Sequence, residues 1–285
     1  MGSTPSPVAY TGGFTVLSDP WLLSWALGLF AMHLLLQAGL GAVDTPLRAK
    51  PGVAAHQIVC FVPFAYAAYM GVILWLLDDS IAAMHTGTYI DRLYPDASAG
   101  DAESLPWKLS RFMLGFQVYD LAATALEPSL RKAEHIAHHS STLLTAYCAA
   151  TTGGPFFGYY AAFFFGFTEL SSVPLAFVDL FRQIPTLAKQ YPAVNELSRT
   201  TFAVSFLIIR VVWFPIVMIS RWWPDLYAAY AADDVRCSWA AFGWMFFSSA
   251  FLTFLQLFWG FKIIRVVLKG NLGGKDQSAA KSETD

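Results

Sequence analysis

The sequence predicts an all-α fold: a multi-pass integral membrane protein of about seven transmembrane helices, N-terminus lumenal and C-terminus cytosolic. Three observations carry this. Of the 285 residues, 56% are apolar and 16% aromatic while only 13% are charged, about half the charge of an ordinary soluble domain. Seven apolar runs approach the ~20 residues that a helix needs to cross a hydrocarbon core of about 30 Å. Lysine and arginine also segregate between alternate loops. A net charge of -2 and a pI near 6.3 leave no basic footprint for nucleic acid. The three cysteines are scattered, with Cys60 and Cys148 inside apolar runs and Cys237 in a loop, so neither a disulfide framework nor a CxxC metal site is expected.

The first run, about Trp21 to Leu40, follows an N-terminus without a basic region, so it reads as a retained span and not a cleaved signal. "MGSTPS" matches the loose myristoylation pattern, which would need a cytosolic N-terminus and carries little weight. The next runs are Ala54 to Leu77, Trp107 to Leu126 and Ala137 to Thr151. The last of these is short and closes on "TTGGP", a tight turn into Phe156 to Phe181. Thr200 to Ile219 and Trp239 to Ile264 complete the set. "DRLYPDASAGDAES" reads as a flexible outer loop and "GGKDQSAAKSETD" as a disordered tail, and no internal repeat is visible. If the C-terminal tail is cytosolic, that side collects twelve basic residues, among them Arg48, Lys132, Arg182 and Lys262, against five outside.

Ionisable residues inside spanning helices point to function, because each costs roughly 2.5 to 3.5 kcal/mol to insert and needs a partner or a task. Asp120, Glu169 and Arg210 are the main cases. At helical rise they lie roughly 9, 18 and 15 Å from the cytosolic ends of their helices, so all three can meet His33, His56, His138 and His139 in one chamber. A buried structural ion pairing of Asp120 and Glu169 with Arg210, fixing helix register, is an equal reading. Around Glu169, the residues Ala162, Gly166, Ser172, Ala176 and Asp179 form a small, polar stripe, and Pro174 predicts a kink because it cannot donate to the Leu170 carbonyl.

"HIAHHSST" at residues 135 to 142 admits metal binding, acyl chemistry or interfacial anchoring. It matches the HxxHH box of di-iron desaturases, but such centres need about eight imidazoles and this chain has six histidines. A zinc site on His135 and His139, four residues apart, would need carboxylate help. Metal is the minority reading and none is assigned. A retinal pigment would want a lysine deep in the last helix, where Lys262 lies only at the end, and a transporter would show repeats.

Five motifs in register, "GFQVYDL", "HHSST", "ELSSVP", "FLIIRVVWFP" and "LQLFWGFKIIRVVLKG", resemble the TLC-domain family, named for the translocation-associated membrane protein, the longevity-assurance proteins and the ceroid-lipofuscinosis ER protein. "LRAKPGVAAHQIV" resembles the lead into the domain's first helix. The resemblance covers residues 45–270, a TLC domain of six spans; with the hydropathy and the Lys/Arg placement, the chain divides further into a lumenal tail over 1–20, a first span over 21–44 and a cytosolic tail over 271–285. The resemblance also implies an endoplasmic-reticulum membrane protein that acts on, or senses, lipids. In the ceramide-synthase branch, paired histidines and a following threonine support acyl transfer from acyl-CoA to a sphingoid base; His138, His139 and Thr142 match. That branch continues with HDxxD where this chain reads "TELSS", and "ELSSVP" is similar to the smaller TLC-domain-containing proteins of lipid homeostasis.

The expected catalytic set is His138, His139, Asp120 and Glu169, with Tyr119, Thr142, Arg210 and Ser172 toward the substrate. No tightly bound cofactor or metal is expected; acyl-CoA is the co-substrate, membrane lipids and a long-chain acyl chain are the partners, and a homodimer stays open. The competing class is a non-enzymatic lipid sensor, chaperone or cargo receptor using the same polar cluster as a scaffold.

Overall fold

The computed structural model describes residues 19–94, 104–151 and 157–282, with side chains through residue 268. Most of the N-terminal tail, the middle of the loop expected to be outer, the "TGGPF" of the tight turn and the last three residues lie outside this set. Among the described residues all regular structure is helical: α1 (Pro20–Ala42), α2 (Pro51–Leu77), α3 (Asp79–Thr86), α4 (Tyr89–Leu93), α5 (Leu105–Leu126), α6 (Ala133–Thr151), α7 (Gly158–Gln183), α8 (Pro185–Gln190), α9 (Pro192–Ala231) and α10 (Trp239–Ser282). Proline in the first turn starts α1, α2, α5, α8 and α9, where its missing N–H costs no intrahelical bond. Asp19 caps α1 by accepting from the Leu22 N–H at 2.9 Å.

Five helices are long and apolar enough to cross a membrane: α1, α2, α7, α9 and α10 as far as Leu268. The chain is therefore a multi-pass membrane protein. The runs expected as third and fourth spans are present as α5 and α6, of 22 and 19 residues, but Lys108, Arg111 and Asp120 in one and Glu134 and three histidines in the other make them less apolar. α9 shows the inverted pattern that lipid demands. Val204, Ile208, Val212, Ile216 and Ile219 face outward at 53 to 63% exposure, while Phe206, Arg210 and Phe214 on the opposite face are buried. The backbone of α10 remains helical to Ser282, through most of the stretch expected to be a disordered tail.

Six helices close a ring in the order α2, α5, α6, α10, α9, α7 and back to α2, and α1 lies outside it against α2 and α5. Two staves of this ring are irregular where the polar residues sit. α7 passes through a π-helical turn at Ala162–Gly166 and a 3-10 turn at Phe167–Ser171 before Pro174, whose ring cannot take an ordinary helical bond to Leu170. α9 widens into a π-helical turn at Leu207–Trp213 just ahead of Pro215. The sequence led us to expect a kink at Pro174, and the distortion extends over two turns upstream of it.

The α2–α7 seam is a backbone contact. A Cβ on Gly71 would stand 2.0 Å from the Phe167 nitrogen, and one on Gly166 would stand 2.6 Å from the Gly71 Cα. Small residues here let two helices touch along their main chains, as membrane packing favours. Near α3 and α4 the bundle is fastened by Arg92, whose Nε and Nη2 each donate to Asp225 at 2.6 Å, while the Tyr160 hydroxyl donates to the same carboxylate. Both ions are buried with their hydrogen bonds filled.

Candidate active site

The ring encloses a cavity of about 360 Å³ to which all six helices contribute and α1 does not. Along α10 its lining runs from Lys262 to Met245, about 25 Å at helical rise, longer than the roughly 15 Å depth of one leaflet's hydrocarbon. One end carries Lys132, Arg182 and Lys262 with Glu134 and Asp179; the other is apolar, with Phe157, Phe214, Met218 and Trp222. The histidines stand between these two ends.

Asp120 is the centre of the polar cluster. It is 1% exposed and lies between two imidazoles, His56 Nε2 at 2.9 Å from Oδ1 and His139 Nδ1 at 2.9 Å from Oδ2. The His139 Nδ1–H is better aimed at Gln117 Oε1, at 2.8 Å. Asp120 Oδ2 is therefore held to His139 by proximity and charge and has no well-directed donor of its own. With its proton on Nδ1, His139 keeps the Nε2 lone pair for chemistry. The spacing of three residues places Gln117 and Asp120 within one turn of α5, so both meet His139 on α6.

His138 packs edge-on against His139 and against Trp259 of α10, with ring centroids 5.2 Å away in each case. Its Nδ1 is buried with no hydrogen-bond partner among the described residues. His135 belongs with the cluster after all: α6 begins at Ala133, four residues before the expected start, and this brings His135 to 4.1 Å from the His139 ring. Thr142 lines the cavity but donates its hydroxyl to the His138 backbone carbonyl at 3.0 Å, so it holds no ring.

Glu169, Ser172 and Arg210 form a second group on the cavity wall. Arg210 Nη2 donates to Glu169 Oε1 at 3.0 Å and to Ser172 Oγ at 2.9 Å, and Nε donates to Ser171 Oγ at 2.8 Å. Arg210 pairs with Glu169, while Asp120, expected in the same ion pairing, stands with the histidines. Tyr119 is placed elsewhere. It is 1% exposed, its hydroxyl bonds His33 Nδ1 at 3.0 Å toward α1, and its ring stacks on His56 at 6.2 Å.

Sequence reasoning placed His56 in the chamber without giving it a role, and it missed Cys60 and Gln117 as members of the site. His56 and Cys60 are four apart on α2 and so share a face, a signal that was present but submerged in an apolar run. Two groups have metal-ligand chemistry, His56 with Cys60 and Asp120, and Asp120 with His135 and His139; in each the ligand atoms lie within 4.8 Å of one another.

No curated protein and no solved structure matches the chain at a significant level. A family model described as the TLC domain matches residues 54–265, the stretch that builds the ring and every polar side chain on its wall. On that match the chain belongs to the TLC-domain family, one tied to membrane lipids.

Proposed function

We propose that the chain transfers a long acyl group from acyl-CoA to a lipid amine, such as that of a sphingoid base, within the endoplasmic-reticulum membrane. The observation that carries this reading is His139: the Gln117 amide oxygen accepts its Nδ1–H, a buried carboxylate stands 2.9 Å from the same nitrogen, and the ring lines a chamber with a basic mouth and an aromatic end. The mouth suits CoA phosphates at Lys132, Arg182 and Lys262, and the aromatic end suits the acyl tail.

In this scheme His139 Nε2 attacks the thioester carbonyl. The N–C bond forms, the C–S bond breaks and CoA leaves as the thiolate. Asp120 balances the positive charge on the acylated imidazole. The acceptor amine then attacks the same carbonyl, the C–N bond to His139 breaks, and His138 carries the amine proton to the thiolate. Thioester and amine are thus converted to amide and thiol with no other reactant. A specific feature favours the second reading, a lipid sensor: Arg210 is tied to Glu169, Ser171 and Ser172, which suits a fixed scaffold.

Purified protein in lipid discs, given acyl-CoA and a sphingoid base, should form the amide, and His139→Ala should lower turnover by about 100-fold or more. Full turnover by both His138→Ala and His139→Ala would refute the mechanism. Retention of a fluorescent acyl chain with no product from the unaltered protein would establish the sensor.

A further inference from the structure

We infer that His56, Cys60 and Asp120 form a site for a divalent zinc ion, a role that goes beyond the acyl-transfer reading. All three are buried, at 3, 2 and 1% exposure, and all three line the cavity. Their ligand atoms form a small triangle. Cys60 Sγ is 3.5 Å from His56 Nε2 and 3.7 Å from Asp120 Oδ1, and His56 Nε2 is 2.9 Å from Asp120 Oδ1. With zinc at about 2.3 Å from sulfur and about 2.0 Å from nitrogen and oxygen, the edges of a tetrahedron are about 3.5, 3.5 and 3.3 Å. Both sulfur edges already fit, and the nitrogen–oxygen edge needs to open by about 0.4 Å.

The donors are chemically apt as well. Thiolate with imidazole and carboxylate suits zinc and disfavours magnesium or calcium, which take oxygen donors. Binding removes the thiol proton to solvent and replaces the His56 Nε2 proton by the metal, so the ring proton moves to Nδ1. Gln57 is placed to receive it: its side-chain amide stands 3.4 Å from His56 Nδ1 and needs only to turn its oxygen inward. The three ligands come from two helices, with the fourth position facing the cavity, as in zinc sites that keep a place for water. Occupied, the site would hold Asp120 by Oδ1 and leave Oδ2, which has no directed donor, toward His139. The ion is thereby a positioning group for the histidine.

The test uses the full-length protein in detergent, stripped with a chelator and then loaded with zinc or with cobalt(II). One zinc per chain should survive desalting, and the cobalt form should show a sulfur-to-metal charge-transfer band. Cys60→Ser, nearly isosteric, should lose the band and at least nine-tenths of the zinc while eluting as a folded protein. His139→Ala should keep both, whatever its turnover, so loss of acyl transfer and loss of metal are separately visible. Zinc that washes out of the unaltered protein overturns the assignment. So does a cobalt band that survives Cys60→Ser, or zinc lost on His135→Ala but kept without Cys60, which would move the ion to the Asp120, His135 and His139 group.

Discussion

Replacing Gly71 by alanine places a methyl group inside the backbone of another helix. The new Cβ would lie 2.0 Å from the Phe167 nitrogen, 2.1 Å from the Gly166 carbonyl carbon and 2.6 Å from the Phe167 Cα. An ordinary carbon contact needs about 3.5 Å, so α2 and α7 must separate by more than about 1 Å over the turn that joins them. No side chain can rotate away, because every clashing atom is main chain. Overpacking of this kind costs about 1 to 3 kcal/mol where neighbours can adjust, and the upper end applies here. For a chain of this size about 3 kcal/mol lowers the melting temperature by about 6 °C. The shift also moves His56 and Cys60 on α2 against Ser171 and Ser172 on α7, so ligand retention in the cavity should fall with stability. The assay is thermal unfolding in one detergent at one scan rate, with Gly243→Ala as control, since nothing lies within 4 Å of a Cβ there. If both variants melt together, the helix seam is not the close contact described.

Arg210→Ala leaves Glu169 on the cavity wall without its cation and should destabilise the protein by about 3 to 5 kcal/mol; the double change with Glu169→Leu should recover most of that loss, read as melting temperatures of the three variants. The α3 cap gives a pH-dependent signal. Burial pushes the Asp78 carboxyl up, but hydrogen bonds from the Ser80 hydroxyl and from the Ile81 and Ser80 N–H groups outweigh it and hold the group below the usual carboxylate value. Its contribution is thus complete above the ordinary carboxylate pKa and is lost as pH falls through the lower folded value. Asp78→Ala should cost about 1 kcal/mol at neutral pH and nothing at strongly acid pH; an equal deficit at both would refute the cap.

Much of this fold is written in hydropathy. Each apolar run corresponds to a helix, because the bilayer makes length and composition decisive, and Pro51, Pro106 and Pro192 mark helix starts. Boundaries were legible only where composition changes with depth. α9 begins at Pro192, eight residues before the apolar run, since "NELSRTT" is polar but still helical. The site was half legible. His138, His139, Asp120, Glu169 and Arg210 stand out as ionisable groups in apolar surroundings, and all of them reach one cavity. Which group pairs with which depends on the order of helices around the ring, and hydropathy carries no information on that order. Asp120 thus meets two histidines and not Arg210, and Tyr119, one residue away, turns toward α1 and away from the cavity. Cys60 escaped notice because a thiol among valines and phenylalanines has the profile of a small hydrophobe.

The six staves of the ring are not equally bound to one another. His56, Asp120, His139, Glu169 and Arg210 place a member of a charged or ionisable pair on α2, α5, α6, α7 and α9. Among the described residues α10 has no ion pair; its side-chain links include neutral bonds from Trp244 to Thr145 and from Trp223 to Ser249, with Trp259 against His138. Drawing any other stave outward exposes a charged or ionisable side chain to hydrocarbon without its partner, which lipid resists. Drawing α10 outward gives up apolar contact and weak bonds, and much of that contact is recovered against acyl chains. The enclosure therefore has a soft side, formed by its last helix and open to the bilayer instead of to water.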